Sequence, residues 1–242
     1  MPRKPATKKI SIDTLAQHMT TELEILNQSA DHSREMLMNK VNFFLILVTA
    51  IGGGLALMVS VDVLRNLIIP TASVVILILI IMGFNTLRQG LDLSASAVTF
   101  YRRAGRIRRW YIDQEPSIEP YLPFNVADNL PRMSSNFINL RGAESILLLM
   151  NGSLCGILVG LIVAFVDSYI FHKVPAVSLA LDFIIILAPG LVTIWLAWVL
   201  QVKYVKRFMR KWEMRQEKLK LIHFPDKLIS EDDFEKILKE TS

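Results

Sequence analysis

The sequence predicts an all-α integral membrane protein with four transmembrane helices and long helical extensions on the cytoplasmic side. Three observations predict this class. First, four windows, residues 41–61, 67–84, 146–166 and 177–200, hold almost no charge, Asp182 near one end of the last being the exception. Each is close to the ~20 residues with which a helix crosses ~30 Å of hydrocarbon. Second, these windows lack the polar stripe that a soluble helix of that length keeps; ILILIIMGF in the second has none. Third, all but two of the 27 lysines and arginines, Arg65 and Lys173, lie outside the connections between windows one and two and between three and four. An excess of cations marks the cytoplasmic side, so both termini and the central segment are expected there. The mean hydropathy of +0.40 averages over this segregation and conceals it.

Five segments follow from the partition. Residues 1–40 are a cytoplasmic amphipathic helix behind a Pro/Lys-rich leader, and residues 41–84 are a first transmembrane hairpin. Residues 85–145 are a basic cytoplasmic helix and a Pro-rich loop, residues 146–200 a second hairpin, and residues 201–242 a basic helix and tail. Ser11 has the chemistry of a helix cap, and Ile12, Leu15, Met19, Leu23 and Leu26 recur at three- and four-residue spacing. No Pro or Gly separates that helix from span one, so residues 12–61 can form one rod of about 75 Å. Pro70 falls in the first turn of span two, where its missing N–H is harmless. Helix signals then persist to Asp113, before Pro116, Pro120, Pro123 and Pro131 break the chain into a loop. Span four overshoots the membrane through a face carrying Val205, Phe208, Trp212, Leu219 and Ile222, and Ser230 with Asp233 resembles the capping box of a short terminal helix. Each half is a glycine-bearing span, a short outer turn and a second span with a basic extension, the pattern of an internal duplication.

The stretch FYRRAGRIRRWY, residues 100–111, puts five arginines among aromatics. On a helix Phe100, Ala104, Ile107 and Tyr111 share one face; Arg102, Arg106 and Arg109 fall nearly opposite, with Arg103 beside them. The apolar face needs a partner helix. In a straight helix Arg102 lies about 27 Å beyond the end of span two, outside the reach of headgroup charge screened over about 8 Å. Antiparallel to the N-terminal helix, Arg102 to Arg109 come level with Leu23 to Ala16, near Glu22 and Glu24. The preferred reading is architectural: an orientation signal with ion pairs between helices or subunits. The second is an anion or partner site at Arg102, Arg103, Arg106 and Arg109 for an acidic protein or anionic ligand. The patch is too short for nucleic-acid binding to be expected.

Within the spans the notable residues are small. Gly152, Gly156 and Gly160 form a small-xxx-small ridge in span three, and span one offers Gly52, Gly53 and Ala56 with Thr49 and Ser60. Such ridges let backbones approach closely where lipid removes the hydrophobic drive. Packing of span one against span three within the chain is the preferred reading; subunit association, or a pore lined by the ridges, is the alternative. Asp62, Asp167 and Asp182 lie at the outer boundary, as solvated helix ends or as a carboxylate ring at a pore mouth. Asn151, the amide well inside a span, is expected to make an inter-helix hydrogen bond.

The run RAGRIRRWYIDQEPSIEPYL, residues 103–122, resembles a pattern in uncharacterised bacterial four-span inner-membrane proteins, where an Arg-rich helix end leads into a P-x-x-x-P-Y-L segment. Membrane hairpins with long cytoplasmic helices also resemble SLATT-type effectors of prokaryotic conflict systems, although those have two spans. The resemblance implies a bacterial inner-membrane location and a pore-forming or membrane-disrupting role.

Catalysis has no candidate. No P-loop, dinucleotide fingerprint, HExxH or nucleophile elbow occurs, and His18, His32, His172 and His223 are scattered without ligand spacing. One cysteine, Cys155, allows no disulfide framework. No enzyme activity, cofactor or metal is expected. The functional expectation is a homo-oligomeric pore or membrane effector gated by its cytoplasmic bundle; the alternative is a non-conducting anchor that docks a soluble partner through its basic helices.

Overall fold

A computed structural model describes residues 11–59, 67–122, 130–131, 143–170 and 179–218, with backbone alone at 59, 143–144, 167–170, 179–186 and 217–218. Four long helices account for nearly all of them: α1 (Ile12–Val59), α2 (Ile68–Gln114), α3 (Ala143–Ile170) and α4 (Leu179–Lys218). No strand occurs among the described residues. All four helices contain a stretch long and apolar enough to cross a membrane. The unbroken rod expected from residue 12 onward is one helix of 48 residues, and α2 runs unbroken for 47. Ser11 caps α1 as its sequence position predicts, its Oγ accepting from the Thr14 amide at 3.2 Å.

One expectation is corrected just after α2. Residues expected to be loop form a 3-10 helix, Pro116–Tyr121. Pro116 sits in its first turn with φ preset for helix, and amides Ile118 and Leu122 donate to the Glu115 and Glu119 carbonyls at 3.2 Å each. The tail with Ser230 and Asp233 lies outside the described residues.

The chain divides into two compact units. The apolar unit spans Glu35–Ala95 and Met133–Arg215. Here α1 contributes Leu37, Val41 and Phe44, one turn apart on one face, to a core with Leu79, Leu87 and Leu91 of α2 and Leu147 and Leu148 of α3. Close approach depends on glycine. A Cβ at Gly83 of α2 would run into Asn151 Oδ1 and stand 2.8 Å from the Phe44 ring; one at Gly90 would stand 2.9 Å from Leu37 Cδ1. Lys40 Nζ donates to Gln89 Oε1 at 2.6 Å at the same level. On α4 the buried apolar side chains are Val205 and Met209, with Gln201 buried one turn before them and Trp212 half-buried after, so the inward face runs at i, i+4, i+8, i+11. Met209 thus joins Val205 and Trp212 on the inward face, a position absent from the face expected from the sequence.

The polar unit comprises Met1–Arg34, Ser96–Arg132 and Gln216–Ser242. Its core is the expected antiparallel seam: Leu26, Ala104 and Ile107 are buried, and Met19, Leu23, Phe100 and Tyr111 pack around them. The register differs from the predicted one by about a turn or more. Tyr101 reaches Asp31, and Tyr111 reaches Ala16 and Thr20, which brings Arg102 level with about Ala30 rather than Leu23. The sequence estimate took the two apolar windows to end at equal depth. Side-chain pairing fixes the register instead.

Candidate functional site

Two arrangements carry the residues singled out by the sequence, one in each unit.

In the polar unit the arginine stretch separates into different environments. Arg102 is 5% exposed, which corrects its expected place on the open face of α2. Its Nη1 donates to Gln216 Oε1 at 2.8 Å, and Nε and Nη2 donate to the Pro131 carbonyl at 3.3 and 3.2 Å. Gln216, itself buried, donates from Nε2 to Thr99 Oγ1 at 3.1 Å. The planar guanidinium thus ties α2, the Pro131 segment and the end of α4 by a fork that a point ammonium does not reproduce. Arg109 pairs with Asp113 one turn on, Nη2 to Oδ1 2.9 Å, and Arg106 and Arg108 are half-buried. Burial also lowers the Arg108 pKa from its ordinary value. Arg103 is exposed.

Across the seam, Tyr111 Oη donates to the Ala16 carbonyl at 2.9 Å and lies 2.8 Å from Thr20 Oγ1. Tyr101 Oη donates to Asp31 at 3.0 Å, and the Arg34 guanidinium stands 4.9 Å from the Tyr101 ring centroid, within cation–π range. Burial and then this hydrogen bond raise the Tyr101 pKa above its ordinary value, against the pull of Arg34. The phenols on α2 therefore fix the seam, where the sequence pointed to glutamates; Glu24 accepts from Gln28 on its own helix.

In the apolar unit the glycine ridge of α3 meets α4. A Cβ at Gly156 would stand 2.7 Å from the Gly190 carbonyl oxygen and run into Ile194; one at Gly152 would stand 3.4 Å from the Ile194 carbonyl. The contact is reciprocal, because a Cβ at Gly190 would stand 3.2 Å from the Gly156 carbonyl. Gly160 is half-buried. The expected pairing of this ridge with span one is thereby corrected. Among the described residues nothing lies within 4 Å of a Cβ placed at Gly52, Gly53 or Gly54, and Ala56 is exposed. Gly190 follows Pro189 inside α4, where Thr193 Oγ1 donates back to the Pro189 carbonyl at 2.8 Å. Gly190 of the Pro-Gly pair supplies the bare backbone that Gly156 needs.

Two amides of the apolar unit are buried without partners among the described residues. Asn151 is fully buried, and neither of its side-chain polar atoms has a hydrogen-bond partner among the described residues, so the expected inter-helix hydrogen bond is absent. Gln201, 2% exposed, is in the same condition. Asp62 lies outside the described residues; Asp167 and Asp182 are helical positions whose side chains lie outside them. Among the described residues no three His, Cys, Asp or Glu side chains gather into a metal-binding group.

No family model matches the chain, and neither a curated protein nor a solved structure matches it.

Proposed function

We propose that the chain is a multi-pass membrane protein that assembles as a homo-oligomer and acts without catalysis, as a pore or membrane effector whose path runs between copies. The apolar stretches of α1 to α4 are its spans, and the basic segments, with both termini, lie in the cytoplasm of a bacterial inner membrane. The observation that carries the oligomer is the unequal use of glycine. Gly83 and Gly156 each accept a neighbour closer than a Cβ allows and Gly190 packs tightly back on Gly156, whereas Gly52 to Gly54 present bare backbone to nothing among the described residues. Three consecutive glycines weaken a helix, each by ~1 kcal/mol relative to alanine, unless a close neighbour repays them. A second copy is the neighbour proposed here. Within one copy the α3–α4 contact is closed to backbone distance, so a path formed between copies is the consistent choice.

The test is flux and assembly measured on one preparation. Full-length protein in liposomes is expected to release a trapped dye or ion and to crosslink as an oligomer, with Gly53→Leu losing both while keeping its helix content. Tight vesicles at high protein loading, together with a monomer-only crosslinking pattern, would refute it. The exposed Arg103 favours a second reading, an anchor that docks an acidic partner. Tight vesicles around an intact oligomer would select that one.

A further inference from the structure

A cleft of about 660 Å³ opens in the apolar unit between α2, α3 and α4. One part of its lining is apolar, with Phe84, Ala197 and Leu200; another is polar, with Asn85, Arg88, Tyr204 and Gln201. These residues sit where the apolar stretches of α2 and α4 give way to charge, Phe84 and Arg88 on one helix and Leu200 and Tyr204 on the other. Gln201 is the informative member. It is 2% exposed, lines the cleft, and has neither its amide oxygen nor its nitrogen satisfied. Buried amides are nearly always hydrogen-bonded, and one left open beside a cavity marks the place of an absent partner.

We infer that this cleft binds the headgroup and upper chain of an anionic phospholipid. The inference rests on the membrane reading above. A phospholipid fits on three independent counts. Its phosphate is an anion for the Arg88 guanidinium, in the manner of basic sites between spans on the cytoplasmic side. Its ester carbonyls and phosphate oxygens accept from Gln201 Nε2 and the Tyr204 hydroxyl. Its acyl chain covers Phe84, Ala197 and Leu200, which a free phosphate would leave bare. The volume lies within the ordinary range for a ligand of that size. A smaller cleft of about 390 Å³ flanks the other side of α2 and shares Asn85, but its cation Lys40 is already held by Gln89. The unpartnered amide singles out the larger one.

The test uses full-length protein in nanodiscs of phosphatidylcholine, with or without phosphatidylglycerol, followed by native mass spectrometry of retained lipid. Wild type is expected to keep phosphatidylglycerol selectively. Arg88→Gln and Gln201→Leu are each expected to lower retention by roughly tenfold, the scale of one charge-assisted or buried polar contact. Ala197→Phe, which fills the apolar part and removes no polar group, is expected to do the same with unchanged helix content. Added inorganic phosphate is expected to leave retention unchanged; displacement by phosphate would overturn the lipid assignment. Equal retention of phosphatidylcholine, or full retention by all three variants, would also overturn it. Co-flotation with vesicles separates the two levels of failure. Protein that does not float removes the membrane reading, whereas protein that floats without selective retention removes the lipid site alone.

Discussion

Replacing Gly156 by leucine is expected to destabilise the apolar unit by about 3 kcal/mol, the upper part of the usual overpacking range. The size of the effect follows from what the new atoms would meet. The Gly190 carbonyl oxygen, 2.7 Å from a Cβ at this position, belongs to the backbone of α4 and cannot rotate away, and the Ile194 side chain closes the rest of the space. The helices must therefore separate, and in lipid the packing lost between them is the main attraction that held them. Unfolding in detergent, followed by the fluorescence of Trp195 and Trp198 on α4, should show the loss. Gly53→Leu is the control. No atom of the described residues lies within 4 Å of its Cβ, so the fold should change by no more than ~0.5 kcal/mol even as assembly fails. Equal destabilisation by the two substitutions would contradict the assignment of α4 as the partner of the α3 ridge.

Arg102→Ala is expected to cost the polar unit about 2–4 kcal/mol. The guanidinium makes charge-assisted bonds worth ~1.5–3 kcal/mol each, and its removal leaves the buried Gln216 oxygen and the part-buried Pro131 carbonyl without those donors. Arg102→Lys should recover little, because one ammonium cannot span both acceptors with the geometry of the fork. Arg103→Ala, one residue away and exposed, should fall within ~0.5 kcal/mol. Hydrogen exchange is the appropriate measurement. Amides of Ser96 to Ile112 should lose protection in Arg102→Ala while those of α3 keep theirs. Unchanged protection in the polar unit would show that Arg102 does not hold it.

These two sites also mark the limit of what the sequence discloses. The long helices were legible because their signals are local: a charge-free window, and the absence of Pro or Gly across residues 12–51. The seam of the polar unit was legible for the same reason, since Phe100, Ala104, Ile107 and Tyr111 form a face on one helix and Met19, Leu23 and Leu26 a face on another. Arg102 was misplaced because its burial is imposed by Pro131 and Gln216, 29 and 114 residues away, and a helical wheel contains neither. The partner of Gly156 was misassigned because span one carries more small residues than α4. What separates them is reciprocity, Gly190 standing against Gly156 as Gly156 stands against Gly190, and that exists only once the helices have crossed. Asn151 was visible as an amide well inside a span and Gln201 as one just past a span end, but that their amides remain open required knowledge of every neighbour.

The partition of the chain across a membrane is tested most directly by sided labelling of single cysteines in intact cells, on a Cys155→Ala background that removes the one native thiol. Arg103→Cys is expected to react with an impermeant maleimide only after permeabilisation, and Asn66→Cys, between the first two spans, to react without it. Labelling of Arg103→Cys from outside sealed cells, or recovery of the chain in the detergent-free soluble fraction, would contradict the four-span arrangement and the functional reading built on it.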